Sequence, residues 1–228
     1  MEILGVTLAR GGSKGIRRKN LQKVGSKPLL QWSIDAMSKS NLLTDYIVST
    51  EDREIASLCE EQGVKVHHRD PDLAQDHTTS AEVLIVMANK YKPDIIIECM
   101  CTAPFTTTKN IDEFIGIMLR EKCEHIVSVV LAGHYHPSRL KYIQDNKLLP
   151  FFPEAIEARR QDLQPQAFIR NGALYGMTTE ALFRSASKWG LAPRPYIMSS
   201  DTYVNIDTPR DLSYARWLYE NTLSTHSS

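Results

Sequence analysis

The chain predicts an α/β fold: a mostly parallel, doubly wound, Rossmann-like sheet with helices on both faces and one inserted arm. Three observations carry that prediction. Short β-branched runs alternate with helix-period segments, the run at 94–99 is apolar almost throughout, and the alternation breaks between residues 131 and 169. A strand that is apolar at nearly every position is covered on both faces, the habit of parallel sheets. The 228 residues, 42% hydrophobic and 24% charged, suit one domain with a substantial core and argue against a disordered chain, a collagen or a coiled coil.

Each element follows from a local pattern. Ile3–Leu8 is an apolar strand that runs into a glycine- and base-rich loop, 9–20, after which Lys27 and Pro28 open a helical spacing through Leu29, Leu30, Ile34 and Met37. A second strand at 46–49 precedes an acidic helix start at Glu51 and Asp52; the helix stops before Gly63, and a third strand follows at 64–67. Thr79, with Glu82 three places on, makes a capping box for a helix over Ser80–Tyr91. Strand 94–99, helix 110–122 and strand 125–130 extend the alternation.

The stretch 131–169 holds Pro137, Pro150, Pro153 and Pro165 with the pair Phe151 and Phe152, and shows no helix period. It reads as an arm inserted into a single domain spanning 1–228. Strands return at 172–177 and 195–198. Thr208, Pro209 and Asp211 then supply an N-cap, a first-turn proline and a third-position acid for a last helix, and 224–228 reads as a frayed end.

Several function classes fall away. With 27 basic and 27 acidic residues the net charge is zero, so no bulk field favours nucleic acid or an anionic membrane. No run reaches the roughly 18 apolar residues of a membrane span, and the first eight residues lack an export pattern. Cys59, Cys99, Cys101 and Cys123 show no CxxC spacing and are expected as buried thiols of a cytoplasmic protein. His134 and His136 read as a loop feature rather than as metal ligands.

The chemistry concentrates in three places. Arg10, Gly12, Ser13, Lys14, Lys19 and Asn20 follow the first strand; glycines let the backbone approach a ligand, and the cations suit a polyphosphate. Neither a Rossmann GxGxxG nor a P-loop GxxxxGK[ST] is present, and an exposed solubilising loop is the bland alternative. Asp207 ends a short run beside Asp201 and Asp211, placed to hold a hard divalent cation or simply to cap the last helix, the preferred reading for Asp211. Arg139, Arg159 and Arg160, with Asn171, Gly172 and Tyr175 beyond them, fit an acidic sugar, a solvated face or a subunit contact.

Taken together, these residues resemble the acylneuraminate cytidylyltransferase family, the CMP-sialic acid synthetases, over nearly the whole chain. The likeness runs through Arg10 to Asn20, Val48-Ser49-Thr50, Arg69, Asp76 to Ser80, Thr102 to Pro104, Arg160 to Leu163, Arg170 to Tyr175 and Ile206-Asp207-Thr208. It implies a homodimer that couples CTP to a nine-carbon α-keto acid sugar with Mg2+ and releases pyrophosphate. Arg10, Gly12, Ser13, Lys14, Lys19 and Asn20 would hold the triphosphate, Arg69 and Ser80 would approach the cytosine, and Asp207 would bind the metal. Arg10, Lys19 and Asp207 would carry catalysis. Thr102, Arg139, Arg160, Asn171 and Tyr175 would meet the sugar, the arm crossing to the partner subunit.

Two departures stand out. Asn205-Ile206-Asp207 replaces one of two aspartates common in the family, and Met100-Cys101-Thr102-Ala103-Pro104-Phe105-Thr106 replaces LQPTSPLR. The second is similar to what enzymes acting on pseudaminate can show. Pseudaminate and legionaminate therefore stand beside sialic acid as acceptors, and a nucleotidyltransferase activating Kdo or a sugar 1-phosphate is a rival that Arg160 to Leu163 and Asn171 to Tyr175 argue against. A non-catalytic nucleotide-binding regulator and a dehydrogenase are rival classes, the latter disfavoured by the missing glycine fingerprint.

Overall fold

The computed structural model describes residues 1–155 and 158–223, with the backbone alone at Arg160 and Leu223. In chain order the elements are β1 (Ile3–Leu8), the two-residue strands β2 (Lys23–Val24) and β3 (Lys27–Pro28), α1 (Leu29–Met37), β4 (Asp45–Thr50), α2 (Arg53–Glu61), β5 (Lys65–His68), α3 (Ser80–Tyr91) and β6 (Ile95–Cys99). There follow α4 (Thr108–Glu121), β7 (His125–Leu131), β8 (Lys141–Gln144), β9 (Lys147–Pro150), β10 (Phe168–Thr178), α5 (Thr179–Ser185), β11 (Arg194–Ile197) and α6 (Pro209–Leu218).

Seven strands form one sheet in the order β11-β7-β10-β6-β1-β4-β5. Only β10 runs antiparallel to its neighbours, so the predicted mostly parallel sheet is present. Alternate residues feed two cores. Ile95, Ile97 and Cys99 of β6 pack with Leu30, Ile34, Phe114 and Met118 on one face, while Ile96 packs with Leu84, Met87 and Leu182 on the other. Gly176 in β10 leaves room for this packing, since a Cβ there would lie 2.9 Å from Phe114.

The chain order also positions a crevice. From β1 the sheet grows through β4 to β5, and β6 then returns to the other side of β1. The winding reverses between β1 and β6, where the carboxyl ends of neighbouring strands diverge and a ligand can enter. The loop after β1 and the segment after β6 both rise there.

Helix starts match the cap chemistry. Asp52 accepts from the Ile55 amide at 3.0 Å, and Thr79–Glu82 and Thr208–Asp211 form reciprocal capping boxes. A further box at Thr107–Asn110 starts α4 two residues ahead of expectation. Helix α5 is unforeseen: seven residues give no readable period, and the element is set by its Thr178 cap and by Ala186 in the left-handed region at φ 47°.

The arm is more ordered than its prolines suggest. β8 and β9 pair as a hairpin turned by Asp145 and Asn146, both at positive φ, as a type I′ turn requires. Phe168 and Ile169, expected as the arm's end, are the first residues of β10, whose register shifts between Arg170 and Tyr175 around Gly172 at φ 67°. His136 is buried and accepts from the Ser138 amide, and its Nε2 lies 2.9 Å from the Pro165 carbonyl, so it serves the arm's own packing. Among the described residues no helix is long and apolar enough to cross a membrane.

Candidate active site

The loop after β1 is pinned on its outer side. Ala9 extends the sheet by donating to the Ser49 carbonyl at 3.0 Å, Asn20 Nδ2 donates to the Arg10 carbonyl at 2.9 Å, and the Gly11 amide donates to Glu51 Oε1 at 2.7 Å. Arg18, in the left-handed region, pairs with Asp52 and Glu54 at the head of α2. That Arg18 hydrogen bond holds the Asp52 carboxyl below the usual carboxylate range. With its edges fixed, the loop turns its remaining side chains inward.

They line a cleft of about 370 Å3 at the β1–β6 crevice. Of the residues singled out in the sequence, Arg10, Ser13, Lys14, Lys19, Asn20, Arg69, Ser80, Thr102 and Asp207 meet there. Asp76 bridges two of the cations, 3.0 Å from Arg10 and 2.7 Å from Lys14, and those partners, Lys14 foremost, hold its carboxyl below the usual range. Lys19 Nζ lies 2.9 Å from Asp207 Oδ1 and 3.0 Å from the Ile206 carbonyl. Asn205 Nδ2 donates to the other Asp207 oxygen at 2.9 Å.

Arg69 is buried, with its guanidinium bonded to the Ser49 hydroxyl at 3.2 Å and carbonyl at 2.8 Å. Burial lowers its proton affinity from the ordinary guanidinium value. A cation so placed lines the cleft, as does Ser80 at the head of α3.

Gly12 stands outside the lining; a Cβ there would meet nothing within 4 Å. The neighbouring glycines are the constrained ones. A Cβ on Gly11 would fall 2.3 Å from Asp52 Oδ2, and one on Gly15 would fall 2.3 Å from the Asp207 carbonyl oxygen. Asp211 accepts from the Thr208 amide and hydroxyl, both at 2.8 Å, which identifies it as the cap; these bonds outweigh burial and keep its carboxyl low.

The sugar candidates divide. Tyr175 lines an adjoining cleft that shares Thr79 and Ser80 with the first. Asn171 is buried, its Oδ1 accepting from Ser128 and from the Ala173 amide and its Nδ2 facing Met198 at 3.1 Å, so its amide is spent inside the chain. Arg139 donates to the Ala158 carbonyl at 3.0 Å within the arm, and its Nε is buried without a partner among the described residues. The Arg160 side chain lies outside the described residues. Sequence reasoning missed Asp76 as the counter-ion of the loop, and it missed Glu98, the one acid in an otherwise apolar strand, with its buried partner Lys188.

Among the described residues no group of three or more His, Cys, Asp and Glu could hold a metal. The four cysteines are free, and burial pushes the Cys59, Cys99 and Cys101 thiols up to about 12.

A doubly wound sheet carrying a cationic, glycine-bearing loop at its switch point is an α/β fold suited to an anionic, nucleotide-like ligand. The chain belongs to the cytidylyltransferase family, whose model matches residues 4–188. It is 29% identical over 211 residues to N-acylneuraminate cytidylyltransferase A of Danio rerio, covering 92% of this chain and 49% of that one. The chain thus spans about half the length of that relative. It is 26% identical over 227 residues to pseudaminic acid cytidylyltransferase of Campylobacter jejuni, covering 96% of this chain and 97% of that protein. Among solved structures, a CMP:2-keto-3-deoxy-manno-octonic acid synthetase complexed with CTP superposes with a TM-score of 0.74 at 16% identity, over 96% of this chain and 99% of that one, a likeness of fold.

Proposed function

We propose that the chain transfers a cytidylyl group from CTP to a nine-carbon α-keto acid sugar, with release of pyrophosphate. The observation that carries this reading is the convergence of Arg10, Lys14 and Lys19 on one cleft at the sheet's switch point. The sugar hydroxyl attacks the α-phosphorus in line with departing pyrophosphate. Arg10, Lys14 and Lys19 exchange their carboxylate partners for phosphate oxygens and offset the charge that develops on the leaving group. Asn20 keeps Arg10 in register through its backbone bond. Arg69 and Ser80 would take the cytosine end. Names of relatives that span most of this chain support a nonulosonate acceptor, sialic acid and pseudaminate foremost.

The donor set fits Mg2+. Asp207 is exposed and offers a carboxylate, and rotation of the Asn205 amide offers a second hard oxygen; a cation that keeps waters and phosphate ligands needs no more from the protein. When bound, it would draw charge from the α-phosphate.

The arm supports a second copy as partner. Ile143 is 77% exposed, Leu148 69% and Phe151 57%, an apolar set on a hairpin that projects from the sheet. Sedimentation should show a dimer for the wild type and a monomer for the Ile143→Glu, Leu148→Glu variant; a monomeric wild type refutes the assembly. The activity is tested by incubating the protein with CTP, Mg2+ and separate samples of acetylneuraminate, legionaminate, pseudaminate and Kdo while reading pyrophosphate. Pyrophosphate with one preferred sugar is expected, and silence with all four removes the reading.

A further inference from the structure

The cleft of about 500 Å3 next to the loop cleft shares Thr79 and Ser80 with it and is walled by Tyr175, Lys188 and Trp189. Lys188 is an unusual wall. Its side chain is 8% exposed and its Nζ lies 2.8 Å from Oε2 of Glu98, which is fully buried. The ammonium also sits 3.8 Å from the centre of the Tyr175 ring and 3.8 Å from Met100 Sδ. Met100 lines the loop cleft, so the ammonium stands in the partition between the two spaces.

The register explains how it gets there. Tyr175 of β10 pairs with Glu98 of β6, which puts both side chains on the α3–α5 face, and Lys188, just beyond α5, drops between them. A buried ammonium is costly without an opposite charge beside it, and Glu98 supplies one at 2.8 Å. An ammonium has three donors; one goes to Glu98, one addresses the ring, and the third has only a thioether, a weak acceptor. Glu98 Oε1 is buried with no partner, so the pair is fixed in the interior without being satisfied by it.

We propose that Lys188, held by Glu98, is the specificity determinant of the acceptor compartment. It turns the proton that now faces only the Met100 thioether to the carbonyl oxygen of an acylamino group on the sugar, whose methyl packs against Tyr175 and Trp189. The proposal rests on the cytidylyltransferase reading above. Charge decides for a carbonyl over a carboxylate: Glu98 already neutralises the ammonium, whereas Arg170 stacks on Trp189 at 4.2 Å with no carboxylate partner among the described residues and is the better anion site. Glu98 acts through Lys188 and is a positioning residue.

The test compares kcat/KM for two sugar acids that differ only in carrying an acetamido group or a hydroxyl at one carbon. The wild type should prefer the acetamido sugar by about tenfold or more. Lys188→Met should lose that preference, and the Lys188→Met, Glu98→Gln variant, which leaves no unpaired buried carboxylate, should lose it equally while melting like the wild type. Glu98→Gln alone keeps an oxygen for Lys188 and should retain part of the preference. The change should fall on the KM for the sugar, with the KM for CTP unmoved. A wild type without preference, or a double variant that keeps it, overturns the proposal. A wild type that binds CTP yet serves neither sugar overturns the activity reading itself, a separable result.

Discussion

Gly15→Ala is the sharpest probe of the loop, because it moves geometry without removing charge. The added Cβ would fall 2.3 Å from the Asp207 carbonyl oxygen, about 1 Å inside ordinary contact. The added Cβ meets backbone there, so Asp207 has no side chain to swing away, and the loop or the segment before α6 must move by that distance. Gly15 is exposed and not at positive φ, so the cost of alanine is that steric separation and not backbone strain. The displacement falls on Lys19 and Asp207, whose 2.9 Å contact fixes the cleft's floor. A 1 Å misplacement of positioned groups costs about a hundredfold in rate, or about 2.7 kcal/mol in the barrier. Pyrophosphate release under saturating CTP and sugar reads the effect, with Gly12→Ala as control because its Cβ would touch nothing. A Gly15→Ala protein within threefold of wild type, or a Gly12→Ala protein equally impaired, refutes the account of the loop.

Arg10→Ala should lower kcat a few hundredfold, about 3 kcal/mol of transition-state stabilisation, and a folded variant with full turnover would contradict its role. Asp52→Ala should cost about 1–2 kcal/mol in urea unfolding by uncapping α2, whereas Asp52→Asn keeps the cap. Because Arg18 depresses the Asp52 pKa, its contribution is complete above the ordinary carboxylate value and fades as pH falls through the lowered one. Acid unfolding should therefore be shallower in Asp52→Asn than in wild type; parallel curves would exclude the ion pair as a source. Phe114→Ala, at a fully buried position in the main core, should cost about 3–5 kcal/mol. At pH 8 a thiol reagent should reach only Cys123 in the native protein and all four cysteines in denaturant; rapid native labelling of Cys99 would contradict its burial.

What the sequence made legible follows from which forces are local. β1 and β6 announce themselves because strands covered on both faces need apolar residues at successive positions, and α3 and α6 because their caps are written in three-residue spacings. The direction of β10 depends on which neighbours it joins after the arm, a non-local choice that its residues do not encode. The hairpin escaped because Asp145 and Asn146 adopt the turn without the usual glycine. At the site, Arg10 to Asn20 and Asp207 could be named from residue type and order. Asp76 and Lys188 could not, since their roles arise only when the chain brings a counter-charge across 62 or more residues.

That pattern of counter-charges explains how the cleft keeps so many cations together. Arg10 and Lys14 would repel each other across the loop, yet Asp76 bridges them, and Asp207 does the same for Lys19. Both carboxylates are more than half exposed, so water screens their hold and competes for it. On the proposed function, a polyphosphate would bring several oxygens per cation into the cleft and would displace those partners without rebuilding the loop. Glu98 and Lys188 obey the opposite rule. Their pair is buried, its partners cannot be traded for solvent, and removing one leaves a charge in the interior. On the proposed function the exposed pairs would act as placeholders for a ligand, while the buried pair would be a fixed part of the wall that the ligand must match.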